Sequence, residues 1–484
     1  MADTVQWFTA SGDWLGRLAF QRGLAVIYLV AFLAAARQFR GLLGTGGLTP
    51  IPRYTARTGF RQAPSLFQLH YSDRFFAATC WGGVLLAAGL AAGLADLVPL
   101  WAAMLLWALP WALQVSILNV GQTWYGFGWE SLLAEVGFLA IFTGNDHSGP
   151  PVLVMWLLRW LIFRLEFGAG LIKMRGDRCW RNLTCLRYHH ETQPMPGPFS
   201  WFFHHLPDRL HRAEVLGNHF AQLVVPFVLF APQPVASVAA AVIIVTQLWL
   251  VASGNFAWLN WLTIVLALSV FDDHTARLVL PGLTAPRPAA APGWYEGLVL
   301  AATALVVVLS WQPARNLISR DQLMNSSFDP LHLVNTYGAF GGITRRRYEI
   351  VIEGTGDPAP TGASEWREYQ FRGKPGEPHR RPRQFAPYHL RLDWLMWFAA
   401  LSPRYAEPWL PGFLQALLAG EAPVLRLLRS NPFADAPPVW VRAQLYRYRY
   451  TSWPELRATG AWWQRSFERE YLAPVTLRAK NRVT

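Results

Sequence analysis

The sequence predicts an α-helical polytopic membrane bundle of about nine spans, followed by a water-facing C-terminal α+β domain with a small antiparallel sheet. Three observations carry this prediction. Of the 484 residues, 52% are hydrophobic. Only 15% are charged, where a soluble domain carries about a quarter. The apolar residues run in long blocks as far as Trp311, then give way to short alternating segments.

A membrane-crossing helix needs roughly 20 mostly apolar residues. Leu18–Ala36, Phe75–Leu94, Leu97–Leu118, Val152–Ile172, Val235–Ala252, Phe256–Phe271 and Trp294–Trp311 meet that need. Ser131–Phe142 and Leu216–Ala231 are shorter and marginal, and with them the count reaches nine in a transmembrane domain over residues 1–311. The N-terminal MADTVQWFTA lacks the basic start and small-residue cleavage site of a signal peptide, so the first apolar stretch is expected to be retained.

Charge follows the same plan. Arg37–Arg74 holds six Arg against one acid, and Lys173–His219 seven basic residues against four acids. With nine spans these segments share one side with the tail, while Asp3, Asp13, Asp96, Asp146, Asp272 and Asp273 fall on the other. The positive-inside rule places the basic side in the cytoplasm, but it weakens for long segments, and orientation stays open. Lys173, Lys374 and Lys480 are the only lysines among 43 basic residues, and the Arg, Ala, Leu, Pro and Gly richness reads as GC-rich, bacterial coding. The net charge of +13 is spread over loops beside apolar spans. Anionic lipid head groups of the bilayer are therefore the expected partner, and nucleic acid is not.

Beyond Gln312, residues 312–484 read as the water-facing domain. Glu349–Glu353 and Trp366–Arg372 alternate as half-buried strands across a Gly/Pro-rich connection. KPGEPHRRPRQFAPYH is too rich in Pro and Arg for regular structure, Leu392–Leu401 is an apolar helix, and Val439–Tyr450 is the clearest strand. The chain has no internal repeat.

Candidate chemistry concentrates in two places. The span Val152–Ile172 carries Arg159, Arg164 and Glu166, with Lys173 at its end. Arg159, Glu166 and Lys173 recur every seven residues and so share a helical stripe. A charge in the bilayer core costs at least ~2.5 kcal/mol, so these side chains should face the bundle or water. One reading is an internal ion-pair network that pins helices, with Glu135 as partner; the other is a polar pocket for a head group or a proton relay.

The second place is RGDRCWRNLTCLRYHHETQPMP, Arg175–Pro196. Its polar and aromatic candidates are Arg175, Asp177, Trp180, Tyr188, His189, Glu191, Thr192 and Gln193. Cys179 and Cys185 are placed to pair if the loop faces an oxidising compartment, although they lack C-x-x-C spacing and ordinary packing is the commoner reading. The third cysteine, Cys80, leaves too few for a disulfide scaffold or a four-cysteine zinc site. His189, His190 and Glu191, with His204 and His205, invite a metal reading. Adjacent side chains do not readily share one ion, however, and H-E-x-x-H is absent, so no metal and no cofactor is expected. Trp129, Trp156, Trp160 and Trp180 read mainly as interfacial anchors. There is no G-x-S-x-G elbow, phosphate-binding loop or dinucleotide fingerprint. An enzyme, if this were one, would rest on Glu191, His189 or Glu166.

RWLIFRLEFGAGLIKMRGDRCWRNLTCLRYHHETQPMPGPFSWFFHHLP resembles the core of the lipase maturation factor family. YGFGWESLLAEVGFLAIF, NTYGAFGGITRRRYEIVIEGT, APYHLRLDWLMWFAAL and VRAQLYRYRYT extend the resemblance, in order, from about Tyr125 to Tyr471. His190 stands where the family is expected to carry an aromatic. The resemblance implies a multi-pass, chaperone-like factor for the maturation of secreted lipases, acting in the endoplasmic reticulum membrane of animals. Its loops and C-terminal domain would be lumenal and touch the client, against the positive-inside count; in a bacterium the place would be the inner membrane. The family is also distantly similar to the membrane part of vitamin K-dependent carboxylases, which keeps an alternative: a membrane enzyme or binding protein acting on a lipid or quinone.

Overall fold

The computed structural model describes residues 8–279, 281–286 and 289–477; Asp3 lies outside the described residues. The principal helices of the N-terminal part are α1 (Trp14–Leu42), α2 (Asp73–Ala92), α3 (Leu100–Val120), α4 (Gly128–Ala140), α5 (Val152–Arg175), α6 (Asp208–Leu223), α7 (Val235–Ser253), α8 (Leu259–Leu268) and α9 (Gly293–Leu309). Local signals set their ends. The Ser72 side chain accepts from the Phe75 amide at the start of α2, and Gly93, at φ +109°, ends it.

Among the described residues five helical stretches, rather than nine, are long and apolar enough to cross a membrane. These are Trp14–Leu42, Asp73–Ala92, Leu100–Val120, Val235–Ser253 and Gly293–Ile318. The other expected spans fall short for separate reasons. Helix α5 has 24 residues, but Arg159, Arg164, Glu166 and Lys173 interrupt its apolar run. Helix α4 has 13 residues, about 20 Å at ~1.5 Å per residue. Leu216–Ala231 breaks at Val224 between α6 and the short helix Val225–Val228, which Pro226 opens. In Phe256–Phe271 only the ten residues of α8 are helical.

The two ends of the bundle differ in chemistry. At the first turn of α1, fully buried Arg17 pairs with Asp146 and, at 3.0 Å, with Asp96. Arg22 reaches Asp96 at 2.7 Å, and Asp273 accepts from the Leu15 amide. The acidic connections α2–α3, α4–α5 and α8–α9 therefore meet at one end, as the charge pattern predicts. At the other end Gln38 of α1 donates to the His389 carbonyl at 2.7 Å. Asn255, just past α7, bonds the backbone of Arg383, Phe385 and Ala386. The C-terminal part caps that end.

Its sheet comprises β1 (Arg347–Thr355), β2 (Arg367–Glu368), β3 (Trp440–Tyr450) and β4 (Trp463–Val475). All neighbours are antiparallel in the order β2-β1-β3-β4, with Arg347 opposite Tyr448 and Thr355 opposite Trp440. Trp366–Arg372 contracts to two paired residues, and the sequence reading missed β4, whose two faces both mix charged with apolar residues. The half-buried character expected of β1 is also corrected. Eight of its nine residues are buried, because helix α10 (Arg391–Leu401) packs on it and Arg347 reaches across to the Glu191–Pro194 backbone.

A buried charge pair joins the two parts: Arg391 Nη1 lies 2.5 Å from Glu130 Oε1, and Gln114 donates to the second carboxylate oxygen at 3.1 Å. The guanidinium carbon sits 3.5 Å from the Tyr125 ring centre. Trp129 is no interfacial anchor here: it packs on Phe127, His389 and Trp394. Arg391→Met strands Glu130 without its cation and should cost about 3–5 kcal/mol, read as a lower melting temperature in detergent. The Glu130→Gln, Arg391→Met double variant should recover much of that loss. A wild-type melting point for Arg391→Met would show that the pair holds nothing together.

Candidate functional site

The charged residues of α5 do not form one stripe of partners. Glu135 of α4 accepts from Arg164, from the Asn335 amide and side chain at 2.9 Å each, and from the Tyr337 hydroxyl at 2.6 Å. Arg164 also donates to the Asn335 carbonyl at 2.5 Å. Two residues along α5, Glu166 accepts from Gln247 at 2.7 Å and Gln222 at 3.1 Å. Lys173 donates to Gln222 at 2.8 Å, and Asn260 to Gln247 at 2.6 Å. Arg159 stands apart, donating to the Leu229 carbonyl and lying over the Trp156 ring. Glu135 therefore answers Arg164, while Glu166 is held by amides the sequence reading did not single out. A lone Gln or Asn in an apolar span carries no charge signal to reveal it.

Past α5 the chain turns at Gly176, where an added Cβ would come within 2.2 Å of the Gly341 carbonyl oxygen. That clearance lets the Asp177 amide donate to Gly341 at 2.8 Å. Asp177 caps the short helix Arg178–Arg181 and pairs with Arg345 at 2.8 Å. Trp180 is buried, donates to the Phe340 carbonyl at 2.8 Å and takes Lys173 over its ring; it too is packed inside. Cys179 and Cys185 are joined as a disulfide, Cα atoms 4.8 Å apart, both buried.

The helix Leu186–Thr192 presents Tyr188 to Arg345. His189 sits against Phe340 and Phe256, and burial pushes its imidazole down to about 3. Glu191 accepts from the Tyr450 amide at 2.8 Å; burial raises its pKa against the opposing effect of that bond. The Thr192 carbonyl accepts from Trp397. Gln193 donates to Ser200 and to the Ser253 carbonyl, and its own carbonyl accepts from Arg347 at 2.5 Å. Arg175 holds Gln322 and the Leu317 carbonyl. Most of the loop's polar candidates thus point inward and tie the bundle to the sheet.

Glu166, His189 and Glu191 do not converge on a shared space: their partners are bundle amides, aromatic rings and a sheet amide respectively. Two clefts of about 660 and 650 Å³ lie elsewhere, one over Phe199 beside Arg380, Arg381 and Arg383, the other among Tyr54, Asn119, Tyr125 and His332. The histidines group differently from the expectation. His190 lies beside His211 and Glu214, residues of α6 that the sequence reading passed over although they stand three apart on one helical face. His204 faces Glu191 at 3.7 Å, and burial depresses its pKa to about 3.

Comparison with known proteins adds a lineage to this geometry. The family model described as "Lipase maturation factor transmembrane domain" matches residues 15–278, and "Lipase maturation factor C-terminal domain" matches residues 333–473. Lipase maturation factor 1 of Bos taurus is 43% identical over 503 residues, covering 96% of this chain and 89% of that protein. The Homo sapiens protein of that name is 41% identical over 510 residues, with 96% and 88% covered. Lipase maturation factor 2 of Homo sapiens is 29% identical over 599 residues, with 96% and 83% covered. No solved structure matches the chain.

Removing the Glu135 carboxylate leaves Arg164 buried and unpaired. Glu135→Ala should sharply reduce the monodisperse fraction after detergent extraction, at a cost of about 3–5 kcal/mol. Arg209→Gln, on an exposed face, should stay within ~0.5 kcal/mol of wild type. Equal yields from the two variants would mean that Glu135 is reached by water.

Proposed function

The chain belongs to the lipase maturation factor family, and from that premise we propose that it is a multi-pass membrane factor that helps a secreted lipase, or a related secreted client, to fold and assemble. The observation that carries this reading is the fusion of the Arg175–Pro196 loop with the C-terminal domain into one surface. Asp177, Glu191 and Gln193 hold the loop to Arg345, Tyr450 and Arg347. The exposed side chains include Arg178, Arg181 and Arg346, beside Arg187 and Arg345, which are exposed but paired with Asp208 and Asp177. A rigid, Arg-rich face suits recognition, since arginine pairs with carboxylates and stacks on rings. The alternative, an enzyme or binder acting on a lipid or quinone, asks for an open cavity beside Glu166, His189 or Glu191, and those side chains are occupied by packing.

Nine passes fit the arrangement if α4, the α6 segment and α8 cross as short or broken helices shielded by their longer neighbours, which satisfy their exposed backbone groups. The loop and the tail then lie on one side. The Cys179–Cys185 disulfide favours an oxidising compartment for that side: the periplasm for a bacterial inner membrane, or the lumen of the endoplasmic reticulum. The positive-inside rule does not govern the long tail, and on the side shared by the loop and the tail the disulfide is set against the basic count of Arg37–Arg74 and Lys173–His219.

Deleting the gene in its host should lower secreted lipase activity several-fold while lipase polypeptide is still made, and restoring the full chain should restore activity. Unchanged activity would sink the maturation role. Sidedness is read separately, by labelling Asn182→Cys and Arg457→Cys in a Cys80→Ala background with an impermeant maleimide. Both sites should label from the periplasmic side; opposite accessibility would overturn the nine-pass topology.

A further inference from the structure

One constellation plays no part in the maturation reading. His190, on the loop helix, meets His211 and Glu214 of α6, with one ligand atom from each lying within 4.8 Å of the others. His190 and His211 are 2% and 3% exposed. His211 Nε2 lies 3.3 Å from the His204 carbonyl oxygen. A carbonyl can only accept, so that nitrogen carries the proton, and a neutral His211 turns the Nδ1 lone pair toward Glu214 Oε2, 3.3 Å away. His190 Nε2 approaches the same carboxylate oxygen at 3.7 Å, beyond hydrogen-bond reach, and neither ring nitrogen of His190 has a hydrogen-bond partner. Trp249 Nε1 donates to the other oxygen, Oε1, at 2.6 Å and fixes the carboxylate's orientation.

The His211 lone pair and a carboxylate oxygen therefore face one another in a buried place, beside a His190 whose two nitrogens are unmatched, and with both imidazoles neutral the His211–Glu214 contact is repulsive unless a cation stands between them. Protonating His211 answers Glu214 but leaves His190 with two buried, unmatched nitrogens, an arrangement that costs free energy. A metal ion answers all three. We propose that His190, His211 and Glu214 form a binding site for a divalent transition metal of the zinc class, pinning the loop helix to α6. Two imidazoles and a carboxylate are an established zinc donor set. The bond from His211 to a backbone carbonyl and the Trp249 bond to the carboxylate are the outer-shell contacts that orient such ligands. Zinc bonds of ~2.0–2.2 Å ask the three donors to draw together by about 1 Å, within reach of small side-chain rotations. Water takes the fourth position.

The test uses the full chain purified in detergent without a polyhistidine tag, stripped with a chelator and titrated with Zn²⁺ alone. Wild type should take up one Zn²⁺ per chain and melt at a higher temperature when loaded. Glu214→Gln and His211→Ala should bind at least tenfold more weakly, while His205→Ala should bind as wild type does. Zinc-edge X-ray absorption of the loaded wild type should show two imidazole ligands, and this readout stands even if a variant fails to fold. Absence of saturable binding by wild type, wild-type affinity in both site variants, or a spectrum without imidazole would each overturn the site.

Discussion

Glu135 belongs to a helix with every residue buried, and it accepts from four donors on two other segments. A carboxylate buried this fully has no water to turn to, so each of its partners becomes obligatory. Arg164 must come from α5, and the Asn335 amide and the Tyr337 hydroxyl must come from the stretch that leads into the C-terminal part. Once Asn335 and Tyr337 are placed, Phe340 and Gly341 are brought beside the end of α5. The Gly176 turn, the Asp177 cap and the Trp180 contact all depend on that position. The helical bundle and the start of the C-terminal part are therefore fixed together.

The same logic repeats on the domain side. Arg347 and Lys374 share buried Glu349, at 2.6 and 2.9 Å, and Arg347 also binds the carbonyls of Glu191, Gln193 and Pro194. Buried ion pairs of this kind add little net stability over a well-packed apolar contact, but losing one partner is costly. Their contribution here is register: each junction admits one partner geometry. A loop held this way is a shelf with its polar side chains tied inward and several arginines on its outer side.

Much of this was legible in the residues. Hydropathy located the long helices, because lipid contact is a local, per-residue demand. The acidic and basic segments sorted correctly onto two ends, because loop charge is also local. The rule that a charge in an apolar span needs an opposite partner offers Glu135 for the charges of α5 without saying which it meets; the fold chose Arg164, while Arg159 of the stripe bonds a carbonyl. The long resemblance blocks pointed to the right family, since nothing else in the chain repeats or imitates them.

Legible from the residues alone, then, were the membrane class, the charge asymmetry of the two ends, the strand Val439–Tyr450 and the lineage. Tertiary structure alone decided which apolar stretches make full-length helices. It also decided that the polar loop turns inward, that Glu166 is held by Gln222 and Gln247, and that His190 finds its neighbours on α6 rather than among adjacent histidines. The physical reason is the range of the forces. Hydrophobic transfer is additive over neighbouring residues and can be read in a window, whereas a hydrogen bond or an ion pair is satisfied by whatever donor the fold brings within about 3 Å. A partner as far off as His389 is from Gln38, 351 residues, leaves no mark in the local pattern.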